Sequence, residues 1–233
     1  MIHNLLHDFP ILLLVLTLVI YMVSLYIYQR SKKNVLLLPV VSAIALVISA
    51  LLVFDIDYST YFKSVEIIHF LLGTATVALA VPLRNNFHLI REHAFPLTIS
   101  LSVMAIVTPV LSVLAAWILG ADTAVLLSLA PKSISTPFAI GVAEEIGAFP
   151  PLVAAIVIVT GAVVAVISSS VFKVFAIHNP IAQGFSMGLV GHGIATATAF
   201  EMSVKTGAFS ALAMGLMGLS TSTLLPYFVA WLF

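Results

Sequence analysis

The chain has 233 residues, 62% hydrophobic and only 8% charged, with a formal net charge of zero. Soluble domains run about 25% charged, so these charges are too few to cover a water-facing surface. The even balance of acid and base excludes the basic footprint of a nucleic-acid binder, and the absence of cysteine removes disulfides, thiol catalysis and Cys-ligated metal sites.

A helix needs about 20 apolar residues to cross hydrocarbon. Residues 10–28 form the first such run, closed by Gln29-Arg30-Ser31-Lys32-Lys33. Its basic residues follow the apolar stretch and no A-x-A-like site appears, so it reads as a retained span. Residues 35–54 are the second run, ending at Asp55-Ile56-Asp57, and 67–83 the third, closed by Arg84 and a polar stretch through Arg91 and Glu92. Runs at 95–119, 151–171 and 208–233 complete the set. Five of the nine Lys/Arg lie in the loops at 29–34 and 84–93, while Asp8, Asp55, Asp57 and Asp122 mark the opposite ends. The positive-inside rule puts those basic loops in the cytoplasm.

Three stretches are membrane-like in apolar content yet wrong for a plain span. They are residues 73–82, 130–137 and 188–201. Irregular backbone at membrane depth occurs only where it is buried in protein or lines a watery cavity. Ionisable groups there are costly and read as functional.

The middle stretch is the sharpest. Pro131 and Pro137 flank Lys132-Ser133-Ile134-Ser135-Thr136, and no regular helix runs through two prolines so placed. A half-helix is predicted to begin near Thr136–Pro137, with proline in a favoured first-turn position. Its free N–H groups, the Lys132 ammonium and the hydroxyls of Ser133, Ser135 and Thr136 make a site for a small anion, a carboxylate above all. The alternative is a surface loop with Lys132 solvated. Glu144 and Glu145 are the nearby carboxylates that would pair with Lys132 in an empty site, unless they sit in water.

The outer two stretches share a Thr-Ala-Thr core after glycine, at Thr74–Thr76 and Thr196–Thr198. Gly73 in one and Gly191 and Gly193 in the other mark expected helix breaks. The threonines Thr74, Thr76, Thr196 and Thr198 read either as site-lining groups or as helix–helix packing. The weak similarity suggests inverted repeats, with halves 1–120 and 121–233 of a single transmembrane domain spanning 1–233. His192 and Glu201 share the third stretch. They read as a proton relay or, equally, His192 makes a structural hydrogen bond across the bundle. No HExxH, GxSxG, Walker or GxGxxG pattern appears, which leaves no catalytic, metal or cofactor assignment.

Pro131-Lys132-Ser133-Ile134-Ser135-Thr136-Pro137, the stretch Leu-Leu-Gly-Thr-Ala-Thr-Val-Ala-Leu-Ala-Val-Pro-Leu at 71–83, and Gly191-His192-Gly193 followed by Thr196–Glu201 resemble the LrgB/CidB family. The likeness runs from about residue 35 to the end, with one departure: Thr74 stands where proline is expected. The resemblance implies one of two roles. One is a holin/antiholin-like modulator of murein hydrolase export and autolysis. The other is a transporter of small monocarboxylates, since plastid relatives move glycolate and glycerate and bacterial members are linked to pyruvate or acetate. It also implies a bacterial cytoplasmic (inner) membrane location and a small LrgA/CidA-like membrane partner. Gly184-xxx-Gly188 would support a homo-oligomer.

The expected architecture is therefore an all-α polytopic integral membrane protein in the lipid bilayer. About six full spans accompany two broken or re-entrant segments, near 122–147 and 181–205. The leading function is secondary transport of a small carboxylate, without enzymatic chemistry. The alternative is a holin-like regulator.

Overall fold

The computed structural model describes residues 10–31, 37–78 and 80–232, all helix and turn with no strand among them. Lys32, Lys33 and Asp8 lie outside the described residues. Two compact units result, residues 1–78 and 79–233. The first holds α1 (Pro10–Arg30), α2 (Pro39–Val53), α3 (Tyr58–Ser64) and α4 (Glu66–Ala78). The second holds α5 (Ala80–Asn85), α6 (Phe87–Glu92), α7 (Ala94–Ile118), α8 (Thr123–Leu129), α9 (Thr136–Ile146), α10 (Pro150–Val174), α11 (Pro180–Met202) and α12 (Val204–Leu232).

Four of these helices, α1, α7, α10 and α12, are long and apolar enough to cross a membrane, and α2 is a shorter apolar helix. Their outward side chains are largely hydrocarbon, with Val159 at 61% and Val174 at 79% exposed on α10. A surface of that kind is stable only against lipid. The chain is a multi-pass, all-helical membrane protein.

In the first unit, Leu13 and Ile56 form a small buried core, and Thr17 Oγ1 lies 3.2 Å from the Tyr61 hydroxyl, tying α1 to α3. Asp57 starts α3 by accepting from the backbone N–H groups of Ser59 and Thr60 at 2.9 and 3.1 Å. The helix break expected at Gly73 is not found. α4 runs from Glu66 through Gly73 to Ala78 without interruption. A mid-helix glycine costs only about 0.5–1 kcal/mol. Thr74, standing where a proline would remove a donor, keeps its N–H for the helical ladder.

The second unit is built from two segments that fold back on themselves. Gly120, at φ +78°, turns the chain after α7, and the Asp122 carboxylate caps α8 by accepting from Val125 N–H at 2.9 Å. α8 then descends beside α7, with Ser112 Oγ donating to the Leu129 carbonyl at 3.3 Å. The chain leaves helix over residues 130–135 and α9 begins at Thr136. Were α9 to continue in the direction of α8, its 11 residues alone would carry the chain about 16 Å further. Instead the Phe149 N–H, at the start of α10, donates to Ser128 Oγ at 3.3 Å. α9 has doubled back, so α8 and α9 form a re-entrant hairpin.

α11 does the same within one continuous run. A Cβ built on Gly184 would lie 2.1 Å from the Thr206 carbonyl oxygen, and one on Gly188 would lie 2.1 Å from that of Ser210. Partner numbers rise together, so this entering half runs parallel to α12. Beyond it, Thr196 lies against Ser210 and the Phe200 ring against Gly207, so the partner numbers now fall. The reversal falls at His192, the one residue of α11 with non-helical backbone (φ 40°, ψ −133°).

The two hairpins point in opposite directions. His93, before α7, and Asn179, before α11, line one cavity and so share a face. Between them α7 and α10 each cross with 25 residues, and the first hairpin returns to the face it left. Lys173, in the last turn of α10, therefore falls on the same face as Arg91. The second hairpin enters from that face and the first from the other. The sequence places the repeat between residues 1–120 and 121–233. In the structure, hairpin plus span occurs twice within the second of those halves, as α8–α9–α10 and as α11–α12.

Candidate functional site

Both hairpins have their tips inside the bundle. The first tip is built by its prolines. Pro131 ends α8's ladder, and a short turn follows in which Lys132 N–H donates to the Leu129 carbonyl at 3.2 Å and Ile134 N–H to that of Pro131 at 3.3 Å. Pro131 is almost fully buried and Ser133 is buried, which anchors the turn on both sides of Lys132. Lys132 is half-buried, and its Nζ donates to Ser133 Oγ at 3.4 Å. Among the described residues no carboxylate pairs with it. Glu144 and Glu145 are exposed on the far part of α9 and do not reach it.

α9 starts at this tip. Ser135 is its N-cap residue but makes no side-chain capping bond, and Pro137 occupies the first turn. The leading N–H groups of α9 thus take no capping bond from Ser135. Lys132 lies on the turn that leads into this helix start, and uncapped helix N–H groups are donors of the kind that receive an anion. Thr136 and Ser135 are partly exposed at the same point.

The second tip is Gly191-His192-Gly193. Its φ of +40° puts His192 in a region that glycine enters freely and other residues enter at about 1–3 kcal/mol. The conformation is held from three sides. His192 Nε2–H donates to the Val157 carbonyl of α10 at 3.0 Å, an acceptor that fixes the tautomer. Gly161 makes room for the ring, because a Cβ there would lie 2.6 Å from His192 Cε1. Thr196 Oγ1 donates to the His192 carbonyl at 2.7 Å and lies 2.8 Å from Ser210 Oγ, bolting the tip to α12.

The two tips are neighbours. Ala130 and Ile134 of the first tip share a buried cluster with Val157, whose carbonyl takes the His192 bond, and Phe138 of α9 packs on Gly218 of α12. The structure thus brings together Lys132, Ser133, Ser135, Thr136 and His192.

Other expected residues fall elsewhere. Thr198 donates to the Ile194 carbonyl of its own helix at 3.4 Å, and Thr196 is committed to the tip. Thr74 and Thr76 lie on α4 in the first unit, and their side chains are outside the described residues. Glu201 sits at the far end of the returning half of α11. Nine residues of helix put it about 13 Å from His192. His192 makes the cross-bundle hydrogen bond that was the alternative reading. Val157, Gly161 and Ser210 were not anticipated, since each lies in an otherwise ordinary span. Among the described residues no three metal-ligating side chains cluster.

The sequence profile of the LrgB-like family matches residues 17–231. An uncharacterised Bacillus subtilis (strain 168) protein, YwbG, is 31% identical over 219 residues, covering 94% of this chain and 97% of that protein. YxaC of the same organism, also uncharacterised, is 30% identical over 223 residues, 96% of each chain. A Bacillus mycoides (strain KBAB4) protein named antiholin-like protein LrgB is 27% identical over 219 residues, 94% of this chain and 95% of that one. No solved structure matches the chain.

Proposed function

The chain belongs to the LrgB-like family, and from that premise we propose that it carries small monocarboxylates across the bacterial cytoplasmic membrane, binding them between its two hairpin tips. The observation that carries this reading is Lys132: an ammonium with no carboxylate partner among the described residues, on the turn that leads into the uncapped start of α9 and next to a second hairpin of opposite direction. A lysine at a span's centre costs about 2.5–3.5 kcal/mol on insertion scales. A carboxylate of the glycolate, glycerate or pyruvate kind would offset that charge while taking N–H bonds from α9. Paired inverted hairpins with a midplane site are the construction of alternating access.

A second reading is an antiholin-like regulator of murein hydrolase export, acting as an oligomer or with a small LrgA/CidA-like membrane protein. The name antiholin-like protein LrgB, carried by the Bacillus mycoides relative, favours it over any transported substrate. One experiment separates the two. Purified protein in sealed proteoliposomes is expected to take up labelled glycolate with saturation and with competition by pyruvate. Uptake linear in concentration, or leak of unrelated solutes, would overturn the transport reading and leave the regulator.

A further inference from the structure

We infer that the cavity of about 350 Å³ between α7 and the entering half of α11 is the aqueous inlet through which the carboxylate reaches the hairpin tips from the basic face. The inference rests on the transport reading above.

α7 carries two distinct stripes. Phe95, Ile99, Val103 and Ile106 recur at helical spacing, are exposed and are wholly apolar. His93, Ser100 and Met104 belong to the other stripe and line the cavity. Asn179 and Ser186 line it from the α11 side. Most of the lining is apolar, but polar groups stand on both walls from the mouth to Ser100, seven residues along α7 and about 10 Å from its start. Ser100 and Ser186 each donate to a carbonyl of their own helix, and Asn179 Oδ1 accepts from Ile181 N–H. The lone pairs of both hydroxyls, the Asn179 amide N–H groups and His93 Nε2 leave these walls a capacity for water that the outer stripe lacks.

The inner end leads to the site. Val190 lines the cavity and directly precedes the Gly191–His192 tip. Met104 and Val190 also pack on the cluster that contains Ala130 and Ile134, the residues on either side of the Lys132 turn. The mouth lies on the face bearing Arg91 and Lys173. A cleft opening on a basic face concentrates anions.

The natural chain has no cysteine, so single cysteines report without background. Ser100→Cys and Ser186→Cys sit on opposite walls, and Ile99→Cys is the lipid-facing control. In vesicles of defined orientation, impermeant methanethiosulfonates are applied from each face. Both wall cysteines are expected to react from the Lys173 face, roughly tenfold faster with an anionic than with a cationic reagent. Glycolate should slow the reaction, and Ile99→Cys should stay unreactive. Wall cysteines no more reactive than Ile99→Cys, or reactive only from the opposite face, would overturn the inlet. Saturable glycolate uptake by the unsubstituted protein in the same vesicles would then leave the transport reading standing. If one variant fails to fold, the cysteine on the other wall decides.

Discussion

Lys132→Ala is expected to weaken binding of glycolate by about 100-fold while leaving the protein folded in detergent. A hydrogen bond to a charged partner is worth about 1.5–3 kcal/mol, and tenfold in affinity is about 1.4 kcal/mol. The lysine lies on a turn whose fixed points are its neighbours, buried Pro131 and Ser133, so removing its amine spares the fold. Lys132→Arg is expected to recover only part of the loss, because a planar fork does not replace a compact ammonium. Ser133→Ala and Thr136→Ala are expected to cost one neutral bond each, about 0.5–1.5 kcal/mol. Titration calorimetry on the series reads all four. Parent-like binding by Lys132→Ala would return Lys132 to the role of a surface cation.

Gly188→Val is expected to have the largest effect on stability. At this position a Cβ meets the Ser210 carbonyl oxygen at 2.1 Å and the Ala213 Cβ at 2.8 Å. The first of these is backbone and cannot turn aside, so the entering half of α11 must lift off α12. Overpacking of this kind costs about 1–3 kcal/mol, occasionally more, or roughly 2–12 °C in melting temperature. Lifting that half also strains the Thr196–Ser210 contact that bolts the second tip. Gly215→Ala on α12 is the counter-case, with nothing within 4 Å of the new methyl. It is expected to be neutral or to raise the melting temperature slightly, since alanine is the better helix former. Thermal unfolding in one detergent compares the two. Equal stability of Gly188→Val and its parent would contradict the close packing of the hairpin on α12.

Much of this was legible in residue order because membranes impose coarse rules. Apolar runs located the long helices, and two prolines around Lys132 located the first tip, since proline removes a backbone donor wherever it stands. His192 between two glycines located the second tip, although the positive φ falls on His192 itself and Gly191 serves for close approach, since a Cβ there would meet Val164 and Ala195. What could not be read was which side chains meet. Ser210 and Gly161 sit in spans whose patterns resemble any other, and only the fold sets them against Thr196 and His192. Gly73 misled for the opposite reason, as a glycine permits a break without requiring one. His192 and Glu201, joined by composition alone, stand nine residues of helix apart. The hairpin-plus-span pattern of α8–α10 and α11–α12 was not legible either, because the two hairpins share no residue motif.

The central claim is that a substrate carboxylate sits against Lys132 between the two tips. Solid-state NMR on the reconstituted protein, with ¹⁵N-labelled lysine and glycolate carrying ¹³C in its carboxylate, measures that contact. The expected result is dipolar coupling corresponding to about 4 Å or less, the reach of an ammonium–carboxylate hydrogen bond, and its disappearance in Lys132→Ala. Coupling that persists in Lys132→Ala, or none at saturating glycolate in the parent, would contradict it.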